Sequence, residues 1–161
     1  MSLTGPALVL GDNVNTDQLH PSKFYSLNDA KVRSGFLGAV KGREGAAEQN
    51  LKGRIVVAGH NFGIGSSRET GARVFLLAGI QAVVAASFAR IYYRNVLNLG
   101  LPAIVCPALE HARPPEGTVV TLDLAAGTLT IGDAVHPTDP LDPYWEQVLK
   151  AGGLVPYLGL G

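Results

Sequence analysis

The sequence predicts an α/β fold: a mixed, mostly parallel sheet with crossover helices, finished by a C-terminal β-meander. Three observations predict it. Residues 54–58 (RIVVA) and 82–86 (AVVAA) are short, continuously apolar runs, as expected of strands buried on both faces. A helical pattern follows each, and a third strand at 103–105 completes a strand–helix–strand–helix–strand order, which calls for parallel strands joined by right-handed crossovers. Beyond these, residues 119–124, 128–131 and 131–135 are short strand-like segments turning at Ala125-Ala126-Gly127 and Gly132-Asp133, a meander rather than further βαβ units.

In chain order, residues 7–10 form an apolar strand stopped by Gly11-Asp12-Asn13, and the loop runs on through Asn15-Thr16-Asp17. Residues 41–52 (KGREGAAEQNLK) are polar and suit a surface connection. Ser66 and Glu69 make an S-x-x-E capping box, so a helix should begin there, run to about Ala78 and end at Gly79. A second helix is expected over 88–99, with Phe88, Ile91, Tyr92, Val96 and Leu99 on one stripe, closed by Gly100-Leu101-Pro102. A last helix spans 143–150, anchored by Tyr144 and Trp145. No linker divides the chain, so residues 1–161 are expected to form a single domain.

Composition narrows the function. With 47% hydrophobic and 16% charged residues, 161 residues suffice for one real core. Thirteen basic and thirteen acidic side chains cancel without any Lys/Arg block, so nucleic acid and anionic membranes are not expected partners. The N-terminus has no signal-peptide or membrane-span pattern, which points to the cytoplasm. Cys106 is the single cysteine, so no disulfide, thiolate zinc site or cluster can be built from this chain's thiols alone, and Cys106 is expected to be a buried apolar filler.

Chemistry concentrates in Gly59-His60-Asn61-Phe62-Gly63-Ile64-Gly65-Ser66-Ser67-Arg68-Glu69, between a buried strand and a helix start. Gly63 and Gly65 allow backbone angles closed to other residues, and amides at a helix N-terminus attract an anion. Ser66 and Ser67 add hydroxyls, and Arg68 adds a planar fork able to hold a carboxylate with two parallel bonds. Arg68 stands where a dinucleotide fingerprint needs its third glycine, and Gly-Lys-Ser/Thr is absent. The pattern is therefore a small-anion site, with a carboxylate favoured over a nucleotide, and Ser66 is either a helix cap or a reactive group. His60 is expected to make a structural hydrogen bond. Arg90, Arg94 and Asn98, at four-residue spacing, form a solvated or subunit-facing stripe.

VAGHNFGIGSSRE, then SFARIYYRNVLNLGLP, preceded by GDNVNTDQLHP, resembles the small subunits of 3-isopropylmalate dehydratase and homoaconitase, which are similar to the swivelling C-terminal domain of aconitase. The resemblance runs in register from about Gly11 to Pro102, with a weaker echo at Gly152-Gly153-Leu154 and Tyr157, and the length resembles the short archaeal-type form. It implies an aconitase-type swivelling domain and a lyase that dehydrates and rehydrates a hydroxy acid. It further implies a large partner subunit, in a heterodimer or heterotetramer, that carries a four-iron, four-sulfur cluster, with no metal on this chain. By the same resemblance Ser66 is the catalytic base, while Gly65, Ser67, Arg68 and Asp17 surround the substrate. Read from residues alone, Asp17 could equally be an Asx-turn or cap following Asn15.

Homoaconitase-like members place an arginine in the loop after the Asn-Thr-Asp block, and the register puts Ser26 there. Lys23, Phe24, Tyr25, Ser26 and Leu27 then form a specificity loop favouring an apolar substituent such as isopropyl, with Lys23 as an alternative cation. Homoaconitase and methylmalate-type dehydratase are the neighbouring alternatives. One departure stands out: the family continues Ser-Arg-Glu-His-Ala, whereas here Thr70-Gly71 follows, placing a glycine in the second turn of the expected helix. This suggests a divergent paralogue, whose substrate differs or which is a non-catalytic anion-binding or assembly module on the same scaffold.

Overall fold

The computed structural model describes residues 2–65 and 68–160. Its strands are β1 (Ser2–Val9), β2 (Ile55–Ala58), β3 (Ala82–Ala85), β4 (Ala103–Val105), β5 (Val119–Asp123), β6 (Thr128–Ile131) and β7 (Ala134–Pro137). The α-helices are α1 (Thr16–Leu19), α2 (Asp29–Ser34), α3 (Thr70–Leu77), α4 (Arg90–Asn98), α5 (Pro143–Ala151) and α6 (Leu154–Tyr157). The strands form one seven-stranded sheet in the order β4-β3-β2-β1-β5-β6-β7. The half from β4 to β1 is parallel and crossed by α3 and α4, while β5, β6 and β7 make the antiparallel meander.

β1 joins the halves by pairing in two modes. Ser2 to Pro6 runs antiparallel to β5, and Ala7 to Val9 runs parallel to β2. The strand therefore starts well before the expected 7–10, because its first half finds a partner far along the chain. Pro6 sits at the changeover. A Cβ on Gly5 would lie 2.2 Å from the Gly53 carbonyl oxygen, so the chain entering β2 crosses where only glycine fits. The Gln81 side-chain amide bonds the carbonyls of Thr4 (2.8 Å) and Gly53 (2.7 Å), tying β1 to the start of β3.

Alternation along the strands sorts the core into two layers. Leu8, Val56, Ala58 and Val83 face the helices, where they meet Phe36, Phe62, Phe75, Tyr92, Val96 and Leu97. Ala7, Ile55, Val57 and Val84 face the opposite way, onto Ile104, Cys106, Leu109, Val120, Leu122 and Leu129, so the meander curls over to cover the second face. Cys106 is fully buried and its thiol points at the Pro137 carbonyl (3.6 Å), in keeping with a packing role.

Several expectations are corrected. The helix expected from Ser66 starts at Thr70, with Glu69 as its N-cap residue and no side-chain cap bond there, while the Ser66 side of the expected capping box lies outside the described residues. The stripe on α4 uses Tyr92, Val96 and Leu97, while Ile91 is 54% exposed beside the exposed Arg90 and Arg94. Phe88 and Leu99 are partly buried against the core at its two ends. The polar 41–52 connection lies at the surface as expected but plugs the core with Ala46 and Leu51. α5 is capped by Asp142, whose carboxylate accepts from the Tyr144 amide (2.8 Å), and ends at Gly152 in the left-handed region (φ 93°). Tyr144 and Trp145 meet edge to face, and Trp145 packs against the core.

The late start of α3 moves Gly71 into its first turn rather than its second. A methyl group there would meet Thr16 Cβ at 3.5 Å and Tyr92 Cε1 at 3.8 Å, which are ordinary contacts. The glycine therefore costs conformational entropy without relieving a clash. Gly71→Ala should raise stability by about 0.5 kcal/mol, read as a higher urea midpoint at unchanged slope; a lower midpoint would mean that the first turn needs the glycine.

Candidate active site

The carboxyl ends of the parallel strands β1, β2 and β3 converge, as ligand sites do in open α/β sheets. Main-chain hydrogen bonding continues past the strands into the loops that follow. Gly59 donates to Gly11 (3.2 Å), Asn13 to His60 (2.7 Å), Gly63 to Val14 (2.8 Å) and Thr16 to Ile64 (2.9 Å), so residues 11–16 and 59–64 run together as a ladder. The loop after β3 joins it, since Phe62 donates to Ser87 (3.0 Å) and Ala89 to Phe62 (2.9 Å). His60 makes the structural contact expected of it, with Nδ1 2.8 Å from the Ser87 hydroxyl.

One aromatic pins the glycine-rich loop. Phe62 is fully buried and meets Phe75, Phe88 and Tyr92 edge-on, with centroids 5.5–6.2 Å away. Gly63 then turns with φ 84°, where a Cβ would lie 2.2 Å from Tyr92 Cγ, and Gly65 turns with φ 107°. These two glycines let the chain climb over the Tyr92 ring and deliver Arg68 to the rim.

Asn15, not Asp17, is the cap in the opposite loop. Its side chain accepts from the Gln18 amide, and Gln18 reaches back to the Asn15 amide, both at 2.9 Å, closing a capping box at the mouth of α1. Asp17, thereby relieved of capping, projects from the first turn and pairs with Arg68 across 51 positions of sequence. The guanidinium also lies 4.4 Å over the Tyr25 ring. Tyr25 in turn stacks on His20, with centroids 5.7 Å apart and planes 7° from parallel, and His20 Nε2–H donates to the Val32 carbonyl (2.9 Å) in α2.

Of the expected site residues, Asp17, Gly65, Arg68 and Tyr25 come together at this rim. Ser66 and Ser67 lie outside the described residues. Elsewhere in the proposed specificity loop, Phe24 packs on Gly35, Lys23 lies over the Phe24 ring (5.2 Å), and the Ser26 hydroxyl accepts from the Asn28 amide (3.0 Å). Leu27 is 98% exposed, an apolar side chain held out into open space. Three contributors were missed from sequence: His20, the Asn15 cap, and the pair of Asp12 with Arg113 (2.7 Å), which buttresses Gly59. Asn15 and Gln18 carry a cap signature that the sequence displays, whereas Arg113 sits 101 positions from Asp12 without a local signal. The His60 amide, and then Arg113, hold the Asp12 carboxyl below its ordinary range.

Residues 11–108 match the Aconitase C-terminal domain family. The chain belongs to that family. Within it, the 3-isopropylmalate dehydratase small subunit of Pyrobaculum calidifontis is 41% identical over 98% of both chains. The small subunit 1 of the same enzyme from Thermotoga maritima is 36% identical over 97% of this chain and 94% of its own. The crystal structure of a 3-isopropylmalate dehydratase from Methanocaldococcus jannaschii superposes with a TM-score of 0.89 at 33% identity, covering 99% of this chain and 94% of that one. The parallel half with its crossover helices and the meander thus make up an aconitase-type swivelling domain. Among the described residues no group of three or more His, Cys, Asp or Glu could hold a metal. Burial pushes the Cys106 thiol above its ordinary range. No described helix is long and apolar enough to cross a membrane.

The rim also carries a titration signature. His20 is only 1% exposed, and burial pulls its imidazole below the ordinary 6.5, outweighing the Val32 carbonyl that pulls it up. An unfolded chain takes up this proton near 6.5 and the folded one resists it. The stability that neutral His20 confers is complete above that value and is lost as pH falls through the lowered folded value. Asp12 and Glu116 are held below their ordinary 3.8 and 4.5, so their contributions are lost only at still lower pH. The denaturant midpoint should therefore fall as pH drops below about 6.5, and His20→Phe should flatten that slope; equal slopes in both proteins would refute the assignment.

Proposed function

We propose that this chain is the small subunit of a 3-isopropylmalate dehydratase, a hydro-lyase that interconverts 3-isopropylmalate and 2-isopropylmalate in leucine biosynthesis. It is a cytoplasmic protein, a single swivel domain, and active only with a large subunit. Full-length likeness to small subunits of that name supports the reading. The site observation that carries it is the placement of Arg68: a guanidinium delivered by a glycine-built loop, with a carboxylate on its edge and an aromatic ring on its face.

The chemistry asked of this chain is modest. Ser66 removes the proton from the carbon next to the carbinol, the hydroxyl leaves as water, and re-addition to the neighbouring carbon completes the isomerisation. A serine hydroxyl is a weak acid, so it serves as a base only where cations and amides stabilise its oxyanion. Arg68 supplies the cation, and Gly65 brings main chain close to the substrate without a Cβ in the way. Ser67 and Arg68 grip a carboxylate, bidentate in the case of Arg68. Asp17 balances the guanidinium and keeps its plane fixed between turnovers. Phe24, Tyr25, Ser26 and Leu27 set the substituent pocket: Leu27 offers apolar area to an isopropyl group, and a carboxylate placed there would be left unpaired. Lys23 is engaged with the Phe24 ring. The four-iron, four-sulfur cluster that acts as Lewis acid on the departing hydroxyl belongs to the large subunit in this reading.

Reconstitution with a cluster-bearing large subunit tests the proposal, following absorbance of the unsaturated acid. Wild-type chain should restore turnover of 3-isopropylmalate, and Ser66→Ala should lower kcat by about 100-fold or more while the complex still elutes intact. Arg68→Lys should lower kcat/KM by about 10- to 100-fold, because a point charge replaces a fork. Full turnover by Ser66→Ala would remove the base, and faster turnover of a tricarboxylic homologue or a methylated malate would reassign the substrate.

A further inference from the structure

We propose that His20 is a positioning residue for Arg68, acting through Tyr25: the three side chains form one stacked column that sets where the guanidinium meets a substrate carboxylate. The inference rests on the reading of Arg68 as the carboxylate grip and adds to it a group that never touches substrate.

The column has a foundation, a spacer and a load. His20 is the foundation. It is almost fully buried, and its Nε2–H is fixed on the Val32 carbonyl of α2, which tethers the plane of the ring to the core. Its Nδ1 is buried with no hydrogen-bond partner among the described residues. Leaving a buried polar atom unmade costs stability, so an apolar side chain would serve packing better here. What the imidazole brings is a flat ring whose orientation is locked by a directional bond. Tyr25 is the spacer, nearly parallel to His20, with Phe24 tilted against the same imidazole (6.2 Å) to stop it from slipping. Arg68 is the load, its Cζ over the Tyr25 ring, 4.4 Å from the centroid. A guanidinium on an aromatic face keeps its in-plane N–H groups available for carboxylates while the face is held by the ring.

The geometry also explains why the imidazole must stay neutral. A protonated His20 would place a second cation against the Tyr25 ring that already carries Arg68, and its Nδ1–H would have no acceptor among the described residues. Asp17 pairs with Arg68 on the rim, and Asp29, at the start of α2, is taken by Arg73 of α3. Neither carboxylate is placed by these pairs to offset charge on the buried ring. Tyr25 thus belongs to the specificity loop in sequence but to the carboxylate grip in space, which couples recognition of the substituent to recognition of the acid group.

Two readouts test this, one of them independent of turnover. In the isolated full-length chain, the Arg68 Nε–Hε resonance should carry the ring-current shift of the Tyr25 face. Tyr25→Ala should abolish that shift, His20→Ala should reduce it, and His20→Phe, which keeps a flat ring, should recover most of it. In the reconstituted complex His20→Ala should raise KM for 3-isopropylmalate about tenfold with kcat within about twofold, and His20→Phe should recover most of the loss. An unshifted Arg68 resonance in wild type, or one indifferent to His20→Ala, overturns the column whether or not the complex turns over. A shifted resonance with unchanged KM overturns its role in binding. If His20→Ala does not fold, the Tyr25→Ala spectrum and the His20→Phe comparison decide the same question. Failure of the wild-type complex to act on the substrate, with the resonances behaving as expected, would instead count against the functional assignment.

Discussion

The site depends on main-chain hydrogen bonds that outlast the strands. Parallel pairing of β1 with β2 is set by buried side chains, but the ladder does not stop where burial stops; it runs on through residues 11–16 and 59–64. Loops of this length would ordinarily wander, each at its own entropic cost. Here each restrains the other, and the sheet's register becomes the register of the rim. The pairing of Asp17 with Arg68 follows from it, since neither residue reaches the other unless the Thr16 amide finds Ile64.

Aromatic packing then converts a flexible composition into a defined shape. Gly59, Gly63 and Gly65 lie within seven positions of one another and would make a floppy segment in isolation. Phe62 between them is sunk into a nest of three other rings, and Tyr92 fills the space that a side chain at Gly63 would need. The glycines are thus places where the chain is pressed against something rigid, and their freedom is spent on close approach rather than on motion.

How much of this could be read from residues depends on how local the cause is. Strands β2 and β3 were legible because burial on both faces writes four apolar residues in a row, and the meander was legible from its turn residues. The first half of β1 was not, since Gly5-Pro6 reads as a breaker and the partner that makes it a strand lies about a hundred positions on. Helices α1 and α2, of four and six residues, are too short to show a period. Capping letters were read in one place and passed over in another. The helix expected from Ser66 begins at Thr70 among the described residues, while Asn15 with Gln18 was passed over and forms a box. Arg68 is drawn across to Asp17 and Tyr25 and is not part of the helix that follows it. Among site residues, Asp17 was placed with Gly65 and Arg68 only through the resemblance, and the three come together at the rim. His20 was not legible, since a lone histidine after a leucine has no sequence signature, and its place in the column needs the third dimension.

The double allegiance of β1 reaches into how the molecule is made. Thr4 bonds Thr121 of β5, the meander strand beside it, 117 positions away, while Ala7 to Val9 wait only for β2. A chain leaving the ribosome can therefore assemble its βαβ half early, but it carries the first stretch of that central strand as an exposed, half-satisfied edge until the last third has been synthesised. Contacts of such long sequence separation slow folding. Through that interval the open edge offers its unpaired amides and carbonyls to any extended segment, so another nascent copy of the same polypeptide competes with β5 for the place.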